Sequence, residues 1–133
     1  MRTVRAAALL LLVAAGCSSR AGAGTSQETV TLTMRYSRFT PSTVEVSPGA
    51  TVRVVVRNLD PIAHELIFGD QAVQDLHERG TETSHGDRPG EVTVPAGATV
   101  ATTYTFPRSG TVLLGCHLPG HYAYGMRGTV RVE

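Results

Sequence analysis

The sequence predicts an all-β protein, an antiparallel β-sandwich of about seven or eight strands with one short helix in a long connection. Two segments alternate apolar and polar residues with a period of two, the pattern of strands with one buried face: TVTLTMRY at 29–36 and TVRVVVRN at 51–58. Turn sequences separate the candidate strands, namely SPGA at 47–50, PAGA at 95–98 and PRSG at 107–110. Short strands with such turns between them are typical of a sandwich.

The length of the chain and its remaining strand candidates indicate one folded domain. At 133 residues the chain is long enough for one hydrophobic core and too short for two, so one fold carries the function. Six further segments are strand candidates. They are Thr43–Val46, Ala63–Phe68, Glu91–Val94, Thr99–Phe106, Thr111–Gly115 and Gly128–Val132.

One segment has the pattern of a helix instead. DQAVQDLHERG offers Asp70 as an N-cap, Val73 and Leu76 three positions apart, and Gly80 to end the helix. The polar stretch TETSHGDRPG follows, so an excursion of about twenty residues lies between two strands. Connections of this length are usually functional or mobile.

The first residues predict export and attachment to a membrane. Two arginines, an apolar run too short to span a bilayer and the ending AAGC indicate a signal peptide at 1–16, with the lipobox pattern of bacterial lipoproteins. We expect Cys17 to be lipidated, residues 17–26 to form a flexible tether, and residues 27–133 to form the domain. The protein would then be extracytoplasmic, in the cell envelope, and lipid-anchored. The alternative is an ordinary signal peptide cut nearby, with Cys17 incidental.

Composition and motifs exclude several classes of function. The formal net charge is +1, and loss of Arg2 and Arg5 with the signal peptide changes it to −1. No cluster of positive charge suggests nucleic-acid binding. The sequence has no recognisable nucleophile triad, carboxylate pair or phosphate-binding glycine loop, so we expect a protein that is not an enzyme.

The stretch CHLPGHYAYGM at 116–126 carries three side chains that suit a copper ion. Cys116 offers a thiolate for Cu(I), His121 an imidazole for both oxidation states, and Met126 a thioether for a long, weak bond. With Cys17 lipidated, Cys116 has no intramolecular disulfide partner. A second imidazole should come from another loop, and His64, after NLDPIA, is the best candidate.

These motifs resemble the cupredoxins, the small blue copper proteins. The resemblance rests on YSRFTPSTVEVSPGATVRVVVRN, on NLDPIAHE and, about fifty residues later, on CHLPGHYAYGM, and it covers residues 27–133. It implies a Greek-key β-sandwich and one type 1 copper ion that cycles between Cu(I) and Cu(II). The ligands implied by the resemblance are His64, Cys116, His121 and Met126.

Two details separate this chain from plastocyanins and azurins. Four residues lie between Cys116 and His121 and four between His121 and Met126, a spacing more like that of sulfocyanin-type and related bacterial cupredoxins. Glu65 stands where those two groups commonly have an asparagine that ties the ligand loops together. Asn58 is the candidate substitute.

Three further histidines are expected outside this ligand set. His117 follows Cys116 directly, and since neighbouring residues point in different directions, it should lie beside the site or be exposed. His77 and His85 lie in the long excursion, where we expect them to be solvated. The alternative is a second, weaker metal site, with which Glu78 and Asp87 would be compatible.

The resemblance implies one-electron transfer through an exposed edge of His121. Leu118, Pro119, Tyr122, Tyr124 and Pro61 would form an apolar patch around it, and a monomer would dock there with a transient redox protein partner. The alternative is an extracytoplasmic protein that binds Cu(I) for copper delivery, storage or resistance. A third possibility is a cupredoxin fold kept as a structural or adhesion module, against which the complete ligand set argues.

Overall fold

The computed structural model describes residues 27–80 and 88–133, and in them the chain forms nine strands and one helix. That helix is not long and apolar enough to cross a membrane. The elements are β1 Thr29–Met34, β2 Phe39–Thr40, β3 Thr43–Val46, β4 Thr51–Asn58, β5 His64–Gly69, α1 Gln71–Arg79, β6 Glu91–Val94, β7 Thr99–Thr105, β8 Gly110–Gly115 and β9 Arg127–Val132.

The strands form two sheets that share one core. The first sheet has the order β2-β1-β4-β7 and the second the order β3-β9-β8-β5-β6. Leu32 and Val54 from the first sheet and Leu66 and Leu114 from the second belong to a single buried cluster. The predicted β-sandwich with one short helix is therefore confirmed, with the two-residue β2 as an additional strand.

Two strand pairs run parallel, a detail that the sequence pattern does not carry. β1 pairs with β4, and β3 pairs with β9, in parallel, whereas the other pairs of named strands are antiparallel. The chain crosses to the second sheet at β3 and returns to the first at β4. Because no hairpin joins the strands of either pair, nothing constrains them to run antiparallel.

The two central strands differ in how they are buried. In β4 Val52, Val54, Val56 and Asn58 are buried, while Arg53 and Arg57 on the opposite face are exposed, as the alternation predicts. In β5 every residue is buried, because α1 covers the face that turns away from the core. Gly69 permits this close contact, since a Cβ there would lie 2.5 Å from Cβ of Val73.

The helix begins and ends where the sequence predicts, but it buries a different face. The Asp70 carboxylate accepts a hydrogen bond from the Val73 amide at 3.0 Å, and Gly80 caps the other end. Leu76 is 64% exposed, whereas Gln74 is completely buried. The inward face of α1 therefore combines Val73 with the buried Gln74, whose side chain contacts His117 in the 116–126 loop described below.

The order of the strands brings two loops together at one end of the sandwich. β5 and β8 are antiparallel neighbours, with Ile67 opposite Gly115. The beginning of β5 and the end of β8 therefore lie at the same edge. His64 is the first residue of β5 and Cys116 directly follows β8, so these two side chains meet there.

Candidate metal centre

Three of the predicted ligands converge at this end of the sandwich. His64 Nδ1 lies 3.3 Å from His121 Nδ1 and 4.0 Å from Cys116 Sγ, and Cys116 Sγ lies 3.4 Å from His121 Nδ1. Among the histidine, cysteine and acidic side chains of residues 27–80 and 88–133, this is the one group of three placed to hold a metal ion.

The separations of these atoms fit one ion. A point equidistant from the three atoms lies about 2.1 Å from each, close to metal–nitrogen bonds of about 2.0–2.1 Å and metal–sulfur bonds of about 2.3 Å. A thiolate with two imidazoles in a trigonal arrangement is the donor set of blue copper sites. The residues present therefore fit one copper ion.

Met126 lies on the same loop and is completely buried. The Cys116 amide donates to the Met126 carbonyl at 3.1 Å, and the Met126 amide donates to the His121 carbonyl at 2.9 Å. The His121 amide in turn donates to the Leu118 carbonyl at 2.9 Å. These bonds fold the loop back on itself, so its two ends and His121 keep fixed relative positions.

The sulfur of Cys116 is enclosed and accepts a hydrogen bond from the other ligand loop. The backbone amide of Glu65 donates to Cys116 Sγ at 3.3 Å. Burial raises the pKa of the Cys116 thiol, and this amide acts in the opposite direction. Glu65 thus joins the start of β5 to the 116–126 loop through its main chain, a role that does not require an asparagine side chain.

Asp60 fixes the orientation of His64. Its Oδ2 accepts a hydrogen bond from His64 Nε2 at 2.8 Å, and His64 is completely buried. A ring whose Nε2 carries the hydrogen has its lone pair on Nδ1, the nitrogen that faces Cys116 and His121. The contact between carboxylate and imidazole therefore prepares His64 to bind a metal ion.

The Asp60 carboxylate is itself held by a tight turn. Its two oxygens accept hydrogen bonds from the amides of Tyr36 at 2.7 Å and Ser37 at 2.9 Å. Burial raises the pKa of Asp60, but these two amides together with His64 outweigh burial, and the pKa lies below its ordinary value of 3.8. Asp60 is therefore ionised at neutral pH.

Asn58 stabilises the loop before His64, and the hypothesis that it ties the ligand loops together is wrong. Its Nδ2 donates to the carbonyls of Ile62, Val94 and Pro95 at 2.7 to 3.1 Å, and its Oδ1 accepts from the Asp60 amide at 2.9 Å. These bonds attach the 59–63 loop to β6 and do not reach the 116–126 loop.

His121 lies at the edge of the site, where it is half-buried. Burial lowers the pKa of its imidazole, and the neighbouring His64 lowers it further, so the neutral, metal-binding form is favoured. Several exposed apolar side chains belong to the loops around it, a set we call the copper-end patch. These are Tyr36, Leu59, Ile62 and Tyr124, with 76%, 51%, 48% and 80% exposure.

His117 points away from the metal centre and joins its loop to α1. Nδ1 lies 2.8 Å from Glu78 Oε2 and Nε2 lies 2.7 Å from Gln74 Oε1. Gln74 Nε2 donates to the Ile67 carbonyl at 3.2 Å. The His117 side chain is only 2% exposed and stacks on Tyr122. Of the two positions expected for it, beside the site or exposed, the first is the one observed.

A second metal site has no support in the described part of the chain, where no other group of three ligand side chains is close enough to hold an ion. His77 Nδ1 lies 2.9 Å from the Val73 carbonyl, and Nε2 lies 3.7 Å from Glu91 Oε1, so His77 is not simply solvated. Glu78 contacts His117 instead. His85 and Asp87 lie outside the described residues, as do Cys17, the signal peptide and most of the tether.

Three residues around the centre were not predicted from the sequence. The role of Asp60 could have been suspected, because it lies only four residues before His64 in one short loop. Gln74 and Glu78 have only a weak signal, their i and i+4 spacing on a helix face. Their partner, His117, lies about forty residues further along the chain, which pattern analysis does not connect.

A β-sandwich with a buried cysteine and two histidines converging at one end defines the class of cupredoxins, copper-binding domains of this fold. The chain belongs to the plastocyanin/azurin family of copper binding proteins, whose family model matches residues 26–133. The resemblance to cupredoxins is therefore confirmed.

Two relatives carry a more specific name, the copper-resistant cuproprotein CopI. The protein from Rubrivivax gelatinosus is 36% identical over 116 residues, which cover 84% of this chain and 70% of that protein. The one from Pseudomonas aeruginosa is 28% identical over 127 residues, with 71% of this chain and 70% of that protein covered.

Solved structures with the same fold include two auracyanins. Auracyanin from Roseiflexus castenholzii has a TM-score of 0.68 and 21% identity, and the match covers 80% of this chain and 98% of that one. Auracyanin A, a "blue" copper protein from Chloroflexus aurantiacus, has a TM-score of 0.64 and 22% identity, covering 81% and 100%. These likenesses show the fold.

Proposed function

We propose that this protein is a one-electron carrier in which His64, Cys116, His121 and Met126 would hold one copper ion. The observation that carries the proposal is the preformed set of three ligand atoms within 4.8 Å of one another, with His64 and Cys116 buried. A copper ion bound there would supply one-electron redox chemistry between Cu(I) and Cu(II) without a change of ligand type.

The residues around the ligands support electron transfer because they hold the ligand geometry fixed. Asp60 orients His64, the Glu65 amide contacts the sulfur, and the main-chain bonds of the 116–126 loop fix Cys116 and His121. A site whose ligands do not move between the two oxidation states has little to reorganise. Since protein donors would fill the site, we propose no enzymatic reaction for it.

The copper-end patch supports a transient protein partner. Tyr124 is three residues beyond His121 and Ile62 is two residues before His64, and they are 80% and 48% exposed. An apolar face of this kind, on a domain with little net charge, suits a small interface that forms and separates quickly. We propose that a monomer docks there with a redox protein and exchanges an electron through His121.

Lipidation of Cys17 would place this exchange outside the cytoplasm, at a membrane surface. The support comes from the signal-peptide pattern and the lipobox ending AAGC. Mass spectrometry of the protein from membranes tests it, with a Cys17→Ser variant as the control. A protein released in soluble form, without a lipid on Cys17, would contradict the anchor.

A second candidate function is copper tolerance, and the observation that favours it is the name of the two CopI relatives. In this role the same site would bind Cu(I) or Cu(II) in order to lower the concentration of reactive copper outside the cytoplasm. Both functions use the same copper coordination. They differ in the cellular process that needs the protein: electron flow for a carrier, and growth at high copper for copper tolerance.

A gene deletion complemented with variants separates the two functions. If the protein is a carrier, loss of the gene slows electron flow at ordinary copper, and a charged residue in the patch, Tyr124→Asp, fails to restore it while the purified variant keeps the wild-type visible spectrum. If it serves copper tolerance, loss of the gene lowers growth at high copper, and Tyr124→Asp restores growth whereas Cys116→Ser does not. Normal electron flow in the deletion strain would overturn the carrier.

A further inference from the structure

The Asp60 carboxylate accepts three hydrogen bonds and has little exposure. Oδ1 accepts from the Tyr36 amide at 2.7 Å, and Oδ2 accepts from the Ser37 amide at 2.9 Å and from His64 Nε2 at 2.8 Å. Asp60 is 8% exposed, and the Asp60 backbone amide donates a hydrogen bond to Asn58 Oδ1 at 2.9 Å. Both the position and the direction of the carboxylate are therefore fixed.

The turn that binds this carboxylate has an unusual backbone. Tyr36 and Ser37 both have positive φ values, 53° and 50°, which residues other than glycine rarely adopt. Successive amides in this conformation point into one concavity, an arrangement that binds anions. Residues held in such conformations cluster at functional sites, because the surrounding structure must compensate for the strain.

We infer that Asp60 is a positioning residue for the copper centre, and that its negative charge, delivered through His64, lowers the reduction potential of the bound copper. The inference deepens the proposed function and rests on it for the redox step. The turn at Tyr36 and Ser37 holds the charge in place, and His64 Nε2 connects it to the ligand nitrogen.

The direction of the effect follows from charge. The higher-charged Cu(II) gains more than Cu(I) from a nearby anion and from a more strongly donating imidazole. The two amides of the turn distribute the charge of the carboxylate but do not cancel it. A purely structural Asp60 would instead only join the 35–38 turn to the 59–63 loop, and its charge would not matter for the copper.

The test compares Asp60→Asn, which removes the charge at nearly constant shape, with Asp75→Asn, which removes an exposed charge on α1. Competition with chelators gives the affinities for Cu(II) and Cu(I), and voltammetry gives the potential. We expect Asp60→Asn to bind Cu(II) about ten- to a hundredfold more weakly, with Cu(I) affinity little changed. The potential then rises by about 59 to 118 mV, whereas Asp75→Asn leaves it unchanged.

Nitrogen NMR of the copper-free protein provides a readout that does not depend on copper. In the wild type His64 should carry its hydrogen on Nε2, and in Asp60→Ala the two tautomers should mix. If Asp60→Ala does not fold, as judged by thermal unfolding, Asp60→Asn is used for the same measurement.

The outcomes separate the inference from the function on which it rests. An unchanged Cu(II) affinity in Asp60→Asn, or an equal shift in Asp75→Asn, would overturn the role of the Asp60 charge. A wild-type protein that binds copper without a reversible one-electron couple would overturn the carrier. In that case the Cu(II) affinities and the His64 tautomer still decide whether Asp60 positions the ligand.

Discussion

Cys116 and Met126 are both completely buried, and the Cys116 amide donates a hydrogen bond to the Met126 carbonyl. The buried sulfur of Cys116 has a raised pKa, so a thiol rather than a thiolate is favoured before a metal arrives. Copper binding therefore has to displace a proton. Met126 has no proton to lose, and as the proposed fourth ligand it would tune a copper ion held by the other three.

Replacing Met126 by leucine tests whether Met126 is a ligand of the copper. Leucine has a similar volume, so the free energy of unfolding of the copper-free protein should fall by less than about 1.5 kcal/mol. Loss of a donor destabilises Cu(II) more than Cu(I), so the reduction potential should rise, as measured by voltammetry. Met34→Leu is the matched control, because Met34 is also completely buried in the core. Equal potentials in the two variants would show that Met126 is not a ligand.

At the scale of elements, two polar side chains of α1 brace the 116–126 loop. Gln74 and Glu78 lie one helical turn apart and contact the two ring nitrogens of His117. Gln74 also reaches the carbonyl of Ile67 in β5, so the helix, the strand and the loop share one set of hydrogen bonds. Gly115 leaves room for this arrangement, since a Cβ there would lie 2.7 Å from Gln74 Oε1.

Replacing Gln74 by leucine tests this brace. The change leaves His117 Nε2 and the Ile67 carbonyl without their buried partner, and the free energy of unfolding should fall by about 1–3 kcal/mol. Urea denaturation of the copper-free protein measures it. The control is Gln71→Leu on the exposed face of the same helix, which should change stability by no more than about 0.5 kcal/mol. Equal losses in both variants would contradict the brace.

The sequence predicts the strands and the ends of the helix well, because those depend on neighbouring residues. The alternation in β4 and the Asp70 cap of α1 are local signals, and the structure confirms both. The face that α1 buries is not local. Leu76 looks like the buried residue, yet Gln74 is buried because its partner His117 comes from a distant loop.

The candidate site shows the same division. Cys116, His121 and Met126 could be recognised from one short stretch, and His64 from its resemblance to the first ligand of cupredoxins. The turn that binds the Asp60 carboxylate could not be recognised. It depends on positive φ values at Tyr36 and Ser37, and no glycine marks this turn in the sequence.

At the scale of the whole molecule, an aromatic cluster joins the two sheets at the end of β7. Phe68 of the second sheet lies 5.2 Å from Tyr104 and 5.6 Å from Phe106, measured between ring centroids. Gly90 lies under this cluster with a φ of 79°, and a Cβ there would overlap the ring of Tyr104. The cluster therefore depends on a close main-chain contact.

Ionisation of Tyr104 should lower the free energy of unfolding at alkaline pH. Burial raises the pKa of its hydroxyl, with a further contribution from Asp70, so the folded protein holds this proton more tightly than the unfolded chain. The stability from Tyr104 is present below the ordinary pKa of 10.0 and is lost as the pH rises through the raised value. Urea denaturation across this range should show a steeper loss in the wild type than in Tyr104→Phe. Parallel curves would contradict the raised pKa.

The central claim is that Cys116 binds copper as a thiolate together with two histidines. The most direct test is the visible absorption spectrum of the protein loaded with one equivalent of Cu(II), compared with that of Cys116→Ser. A thiolate bound to Cu(II) predicts an intense visible band that disappears on reduction, returns on oxidation and is absent from Cys116→Ser. A wild-type protein without this band, or a Cys116→Ser variant that keeps it, would contradict the claim.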